Sequence, residues 1–214
     1  MPTVRGCARN SNIGPKVNSL FWAGSVVGAG DSISRAMWGG QMNPGVDPTV
    51  PSPGYGAQVA AIHGYSPVWF QSDVAGERSD QALTRMPSIL SDNPLPEIIT
   101  LAWGTNDCVV FGTGGVSNFI DNMIDMVDLV LAAGKIPAIP TVPYSTTQGS
   151  NMTAYRDAIV NSLWTIPGVV HGADLYDYFE DHTDQLQVDG IHPTVAGFVA
   201  AIGVWVAALA DFYD

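Results

Sequence analysis

The sequence predicts an α/β protein, a three-layer α/β/α sandwich around a central parallel sheet. Three observations carry this. β-prone runs alternate with segments of helical spacing along most of the chain. One run, Ile98-Ile99-Thr100-Leu101-Ala102-Trp103, is almost unbroken and bounded by Pro96 and Gly104, as a strand covered on both faces is. The polar motifs all follow strand-like runs, and reactive groups gather beyond the carboxyl ends of such sheets.

The elements follow in order. Residues 1–20, rich in Asn, Gly, Ser and Pro, show no sustained period and are expected to form an irregular arm. Residues 21–29 predict a first strand, and Gly30-Asp31-Ser32 a turn into a helix from about Ile33. The Gly- and Pro-punctuated stretch 39–53 is a loop; a helix at 56–63 and a strand at 67–71 follow, then a loop over 72–77 and a helix over 79–90. After the strand at 98–103 comes the loop Gly104-Thr105-Asn106-Asp107. Ile120, Ile124, Val127 and Val130 mark an amphipathic helix over 117–133 that Gly134 ends. A strand at 136–142, a helix at 152–163, a short strand at 168–175, a loop to Asp189 and a last helix over 194–212 complete the chain. The 214 residues fit one domain, 21–214, behind the arm.

Charge and composition narrow the function. Eight Lys and Arg against 20 Asp and Glu give a net charge of -12, with no basic stripe to neutralise phosphates, so no nucleic-acid partner is expected. The apolar stretches are too short or too interrupted for a membrane span. Cys7 and Cys108 allow one bridge between the amino-terminal segment and the loop after Asp107, or two free thiols. Few lysines with much Gly, Ser, Thr and Pro suit a secreted, extracellular protein, although the first residues lack the basic and apolar regions of a signal peptide.

Nucleophilic catalysis by serine requires a base, a group that orients the base, and donors for the oxyanion. Ser32 falls at a strand-to-helix turn, which exposes its hydroxyl and aims N–H groups at developing negative charge. His192 follows Asp189 across a glycine turn in Asp189-Gly190-Ile191-His192-Pro193, so the carboxylate can accept Nδ1–H and leave Nε2 to take a proton. Asn106 supplies an amide donor after a buried strand, and Gly76 permits close backbone approach. Read singly, each is ordinary turn or capping chemistry. Read together, their order along the chain argues for catalysis.

Gly-Asp-Ser near the start, Gly76 in a loop after a strand, Gly-Thr-Asn-Asp after a buried strand and Asp-Gly-Ile-His-Pro before the last helix resemble the four blocks of the SGNH (GDSL-like) hydrolases. The resemblance spans about residues 21–214 and implies a flavodoxin-like SGNH hydrolase fold. It implies a catalytic triad of Ser32, His192 and Asp189, with an oxyanion hole formed by Ser32, Gly76 and Asn106 and with Asp31 as a structural partner in the turn. Asp73 stands where the second block begins with Asn, which makes Gly76 the weakest match. The implied activity is carboxylic ester hydrolysis through an acyl-serine, without a cofactor.

Among the remaining residues, His63, His171 and His182 repeat no ligand spacing, so no metal is expected. Trp69 and Trp103 suit the core, whereas Trp38, just after the nucleophile turn, and Tyr144, after a strand, are candidates for lining the substrate site. The polar edge at Asp181, His182 and Asp184 suits surface or substrate rim. The expected substrate is a small-molecule or polysaccharide ester, foremost O-acetyl groups of carbohydrates as in an acetylxylan esterase. The alternatives are a general short-chain carboxylesterase, lipase or thioesterase and, from another class, a catalytically silent sugar-binding module.

Overall fold

The structure is a computed structural model and describes residues 26–34 and 69–212, with the side chains of 69–71 outside that description. The arm at 1–20, the helix at 56–63, Cys7, Trp38 and His63 lie outside the described residues.

Val26–Gly28 (β1), Trp69–Gln71 (β2), Ile98–Thr100 (β3), Ile136–Ile139 (β4) and Val170–His171 (β5) form a parallel sheet in the order β2-β1-β3-β4-β5. Val26 registers with Trp69 on one side and Ile98 on the other, Ile98 with Ile136, and Ala138 with Val170. The described helices, numbered from the first, are Ser79–Asp92 (α1), Thr105–Phe111 (α2), Val116–Ala132 (α3), Ser150–Asn161 (α4), Leu175–Asp181 (α5) and Val195–Ala208 (α6).

The pleat divides the core. Val27, Ile99 and Ile139 face a cluster with Met86 of α1, Phe119 and Met126 of α3, and Tyr155 and Ile159 of α4. Val26, Ile98 and Ala138, one residue out of phase, face Phe179 of α5 and Phe198, Ile202 and Trp205 of α6. Both clusters are nearly fully buried, which is the predicted three-layer α/β/α sandwich.

Several expected boundaries change, and the strand expected at 98–103 ends at Thr100. Thr105-Asn106-Asp107, predicted as loop, begins helix α2, so the side chain of Asn106 projects from a first helical turn. The strand expected at 168–175 spans only two residues, and part of the loop expected up to Asp189 is helix α5. The reason is local: Asp174 caps α5 by accepting the N–H of Asp177, and Leu175, Tyr176 and Phe179 bury one face. The strand at 136–142 stops at Ile139, because Pro140 and Pro143 interrupt the ladder.

The strand order reverses direction of growth between β1 and β3. The chain leaves β1 for β2 on one side and later returns to place β3 on the other, which opens a crevice beyond their carboxyl ends. Among the described residues, no helix is long and apolar enough to cross a membrane.

Candidate active site

The segment after β1 is held by its neighbours. The Thr100 hydroxyl accepts Ala29 N–H at 2.9 Å, Ala102 N–H donates to Ala29 carbonyl at 3.1 Å, and Val74 N–H donates to Gly30 carbonyl at 2.9 Å. Gly30 is packed so tightly that a Cβ would come 2.6 Å from Ser34 Cβ and 2.7 Å from Ala102 carbonyl oxygen. The turn therefore admits no side chain there, and Ser32 follows with its hydroxyl partly exposed where the chain becomes helical.

Ser32 Oγ lies 3.1 Å from His192 Nε2, across 160 residues of sequence. His192 Nδ1 lies 2.7 Å from Asp189 Oδ2. A carboxylate only accepts, so Nδ1 carries the proton and Nε2 of the neutral ring accepts from the Ser32 hydroxyl. The other carboxylate oxygen of Asp189 accepts N–H from Ile191 at 2.9 Å and from His192 at 3.0 Å. Partial burial pushes the Asp189 carboxyl upward, but the hydrogen bonds from Ile191 and His192 outweigh it and hold the group below its ordinary value.

Asp31, beside the serine, is buried. Its Oδ1 accepts Ile33 N–H at 2.9 Å and its Oδ2 accepts Asn106 Nδ2–H at 3.3 Å. Burial raises its pKa to about 6, against the opposing pull of the Ile33 and Ser34 N–H groups. Asn106 Nδ2 also donates to Glu77 carbonyl oxygen at 3.1 Å. The carboxamide is thus strung between the turn after β1 and the turn after β2.

Gly76 sits exposed in that second turn with φ 77°, a value favouring glycine, and Glu77 N–H closes the turn on Val74 carbonyl at 3.2 Å. The turn has a firm anchor that the motifs do not announce. The buried carboxylate of Glu77 accepts two hydrogen bonds from Arg85, each 2.8 Å, and one from Trp103 Nε1 at 3.0 Å, while Arg85 also donates to Ser72 carbonyl at 2.7 Å. Trp103 is in the core as expected, but its indole N–H has this second duty. Asp107, last residue of Gly-Thr-Asn-Asp, accepts the N–H of Ser79 at 3.0 Å and its hydroxyl at 2.5 Å, so a buried carboxylate meets the N-terminus of α1. The signal for Arg85 was its place on the first helix after Glu77, two turns in; Glu77 itself reads as an ordinary loop charge.

Tyr144 lies after β4 at the same end of the sheet, half-buried and edge-on to Tyr176 with ring centroids 5.4 Å apart. Much of its ring is used in packing against both core clusters. His182 stacks on Tyr178 and His171 on Trp164, so both rings serve packing. Among the described residues, no group of His, Cys, Asp and Glu has the arrangement of a metal site. A cavity of about 20 Å³ behind the turn that carries Ser32 is lined by Asp31, Trp103, Thr105 and Thr141 among others; neither Ser32 nor His192 lines it. Cys108 is buried, which pushes its thiol up to about 11.

Comparison with known proteins agrees with this architecture. No curated protein matches the chain. Among solved structures, TesA superposes with a TM-score of 0.68 at 20% identity, covering 88% of this chain and 99% of its own. The psychrotrophic esterase EstA from Pseudoalteromonas sp., inhibited by monoethylphosphonate, gives 0.65 at 17% identity, with 88% and 97% covered. A mutant of Axe2, an acetyl-xylooligosaccharide esterase from Geobacillus Stearmophilus, gives 0.68 at 15% identity, with 88% and 95% covered. The family model that matches, over residues 29–200, runs from just before the Gly-Asp-Ser turn to just beyond the Asp-Gly-Ile-His-Pro turn. The chain therefore belongs to the GDSL-like lipase/acylhydrolase family and is a carboxylic ester hydrolase.

Proposed function

We propose that Ser32 is the nucleophile, His192 its general base and Asp189 the group that fixes the imidazole, in hydrolysis of short-chain esters and above all of O-acetyl groups on carbohydrates. The observation that carries the reading is the hydrogen-bonded line from Ser32 Oγ through both ring nitrogens of His192 to Asp189.

His192 Nε2 takes the hydroxyl proton as Ser32 Oγ attacks the ester carbonyl, and the imidazolium is stabilised by the ionised Asp189. The oxyanion forms in front of the turn after β1, where the N–H groups of Ser32 and Gly76 and the Asn106 amide are its donors. The 3.3 Å contact of Asn106 with Asp31 is the longer of its two, and the oxyanion competes for that hydrogen. The protonated His192 then gives its proton to the departing alkoxide, so the alcohol leaves and an acyl-serine remains. Water, deprotonated by His192, attacks the acyl carbon; the C–O bond to Ser32 breaks as the protonated His192 returns its proton to Ser32 Oγ, and the carboxylic acid is released.

Support for a carbohydrate acetyl ester is the acidic composition and the shared fold with an acetyl-xylooligosaccharide esterase. Tyr144 on the rim is the described aromatic that a sugar ring would meet. An extracellular setting belongs to the same reading.

The test is chemical. A fluorophosphonate labels the wild-type protein at Ser32, and Ser32→Ala, with unchanged circular dichroism, loses both labelling and turnover of p-nitrophenyl acetate. Turnover by Ser32→Ala at the wild-type rate removes the assignment. Acetate release from acetylated xylan, compared with p-nitrophenyl acetate and butyrate, separates the carbohydrate reading from general esterase or lipase activity; butyrate as the better substrate favours the latter.

A further inference from the structure

The turn that carries Asp189 and His192 is held from two sides. At its base, Gln187 N–H donates to His192 carbonyl at 2.7 Å, Gly190 N–H to Gln187 carbonyl at 2.9 Å and Thr194 N–H to Gln185 carbonyl at 2.7 Å. These bonds run within 185–194. They give the turn its shape, while Leu186 in the core and the Tyr178 hydroxyl, which donates to Gln185 Oε1 at 3.0 Å, anchor its base.

The second side supplies position. The loop 144–149 leaves β4, a strand of the same sheet that presents Ser32. Its Thr147 Oγ1 donates to Asp189 carbonyl oxygen at 3.1 Å, and its Thr146 N–H donates to Gly190 carbonyl oxygen at 3.0 Å. The peptide between the acid and the glycine turn is therefore gripped at two consecutive carbonyls. The loop is itself shaped by Ser145, which is fully buried: its Oγ accepts Thr147 N–H at 3.3 Å and Gln148 N–H at 3.1 Å, and lies 3.2 Å from Thr147 Oγ1. With Thr147 donating to Asp189, the Ser145 hydroxyl donates to Thr147, so both hydroxyls are satisfied in one chain. Gly190 permits the approach. It has φ 67°, and a Cβ there would overlap Thr146 Oγ1 and come within 2.9 Å of Thr147 Cγ2.

We propose that Thr147, set by Ser145, is a positioning residue for catalysis: it fastens the acid–base turn to the sheet so that Asp189 and His192 stay aligned with Ser32. The inference rests on the Ser32–His192–Asp189 reading. Leu186 and α6 pack the flanks of the turn on the sheet, but the Asp189 side chain is substantially exposed and its carboxylate bonds only within its own turn among the described residues, so at the acid itself the loop is a direct hydrogen-bonded link to the sheet that presents the serine. A catalytic base must be held to within about 0.5 Å, and a displacement of about 1 Å costs up to 10²-fold in rate.

The experiment compares wild type, Thr147→Val, Thr147→Ser and Ser32→Ala on p-nitrophenyl acetate; kcat of the proteins that keep Ser32 is expressed per serine titrated by fluorophosphonate so that misfolded molecules are not counted, and Ser32→Ala is read per mole of protein with unchanged circular dichroism. Thr147→Val, which keeps shape and removes the hydroxyl, is expected to lower kcat about tenfold while KM stays within about twofold. Thr147→Ser is expected to return kcat to within about threefold of wild type. Gly190→Ala, which pushes the loop and turn apart, falls at least as far as Thr147→Val. A kcat for Thr147→Val within about twofold of wild type, or a loss confined to KM, overturns the positioning role while an inactive Ser32→Ala leaves the nucleophile assignment standing. Activity retained by Ser32→Ala overturns both.

Discussion

At the scale of single residues, the buried carboxyl of Asp31 makes stability depend on pH between about 4 and neutrality. Its folded pKa of about 6 lies above the ordinary 3.8, so the folded chain binds this proton more tightly than the unfolded chain does. Stability from Asp31 is full below about pH 4 and is lost as pH rises to about 6; the gap between the folded and unfolded values corresponds to about 3 kcal/mol at neutral pH. Asp31→Asn removes that dependence. Urea unfolding should show the variant gaining on wild type by up to ~3 kcal/mol between pH 4 and pH 7.5, less the value of altered hydrogen bonds. Its kcat should fall about tenfold, because an amide NH₂ then faces the NH₂ of Asn106 where a carboxylate oxygen accepted it. A flat stability difference across that pH range would show that Asp31 titrates as an ordinary carboxyl. The sequence marked Asp31 as a partner within the turn, and it is one through Ile33. Its tie to Asn106 was not legible, since the two residues lie 75 apart and only the pairing of β1 with β3 brings them together.

At the scale of elements, α6 starts just after the turn that carries His192 and depends on its cap. Thr194 Oγ1 accepts Gly197 N–H at 3.2 Å, with extended backbone at the capping position. Thr194→Ala should cost about 1 kcal/mol in thermal or urea unfolding, and Thr194→Ser should restore most of it. Long periodic helices such as α3, and buried runs such as β3, were readable because one property repeats over many residues. The misses were short. Helix α5 has seven residues, too few for periodicity to speak, and its sign was Asp174 ahead of Leu175, Tyr176 and Phe179. Helix α2 was hidden because its N-terminal residues Thr105, Asn106 and Asp107 are loop formers by composition, while the helix is set by Gly104 at a positive φ and by the burial of Asp107 under α1. For the same reason the motifs named Ser32, Asn106, Asp189 and His192, whereas Glu77 and Thr147, which hold their surroundings, have no sequence signature of their own, and Arg85 has only its place on the helix after Glu77.

At the scale of the whole molecule, the two core faces are stabilised by different parts of the chain. The face toward α1, α3 and α4 is built from the middle of the sequence, and the face toward α5 and α6 from its later part packed on β1, β3 and β4. Phe198 is fully buried in the second. Phe198→Ala should cost about 3–5 kcal/mol, a large share of the about 5–15 kcal/mol typical of a domain, and unfolding curves should show it. The alternation of strands and helices foretold this layering, but not which helices share a face, because that follows from strand order. The 160-residue span between Ser32 and His192 has a kinetic corollary. Contacts between such remote positions form late, after the intervening chain has collapsed and ordered. When the denatured protein is diluted from urea, compactness and helical signal should return first, and ester cleavage only with the slowest phase, which makes hydrolysis itself a clock for completed refolding.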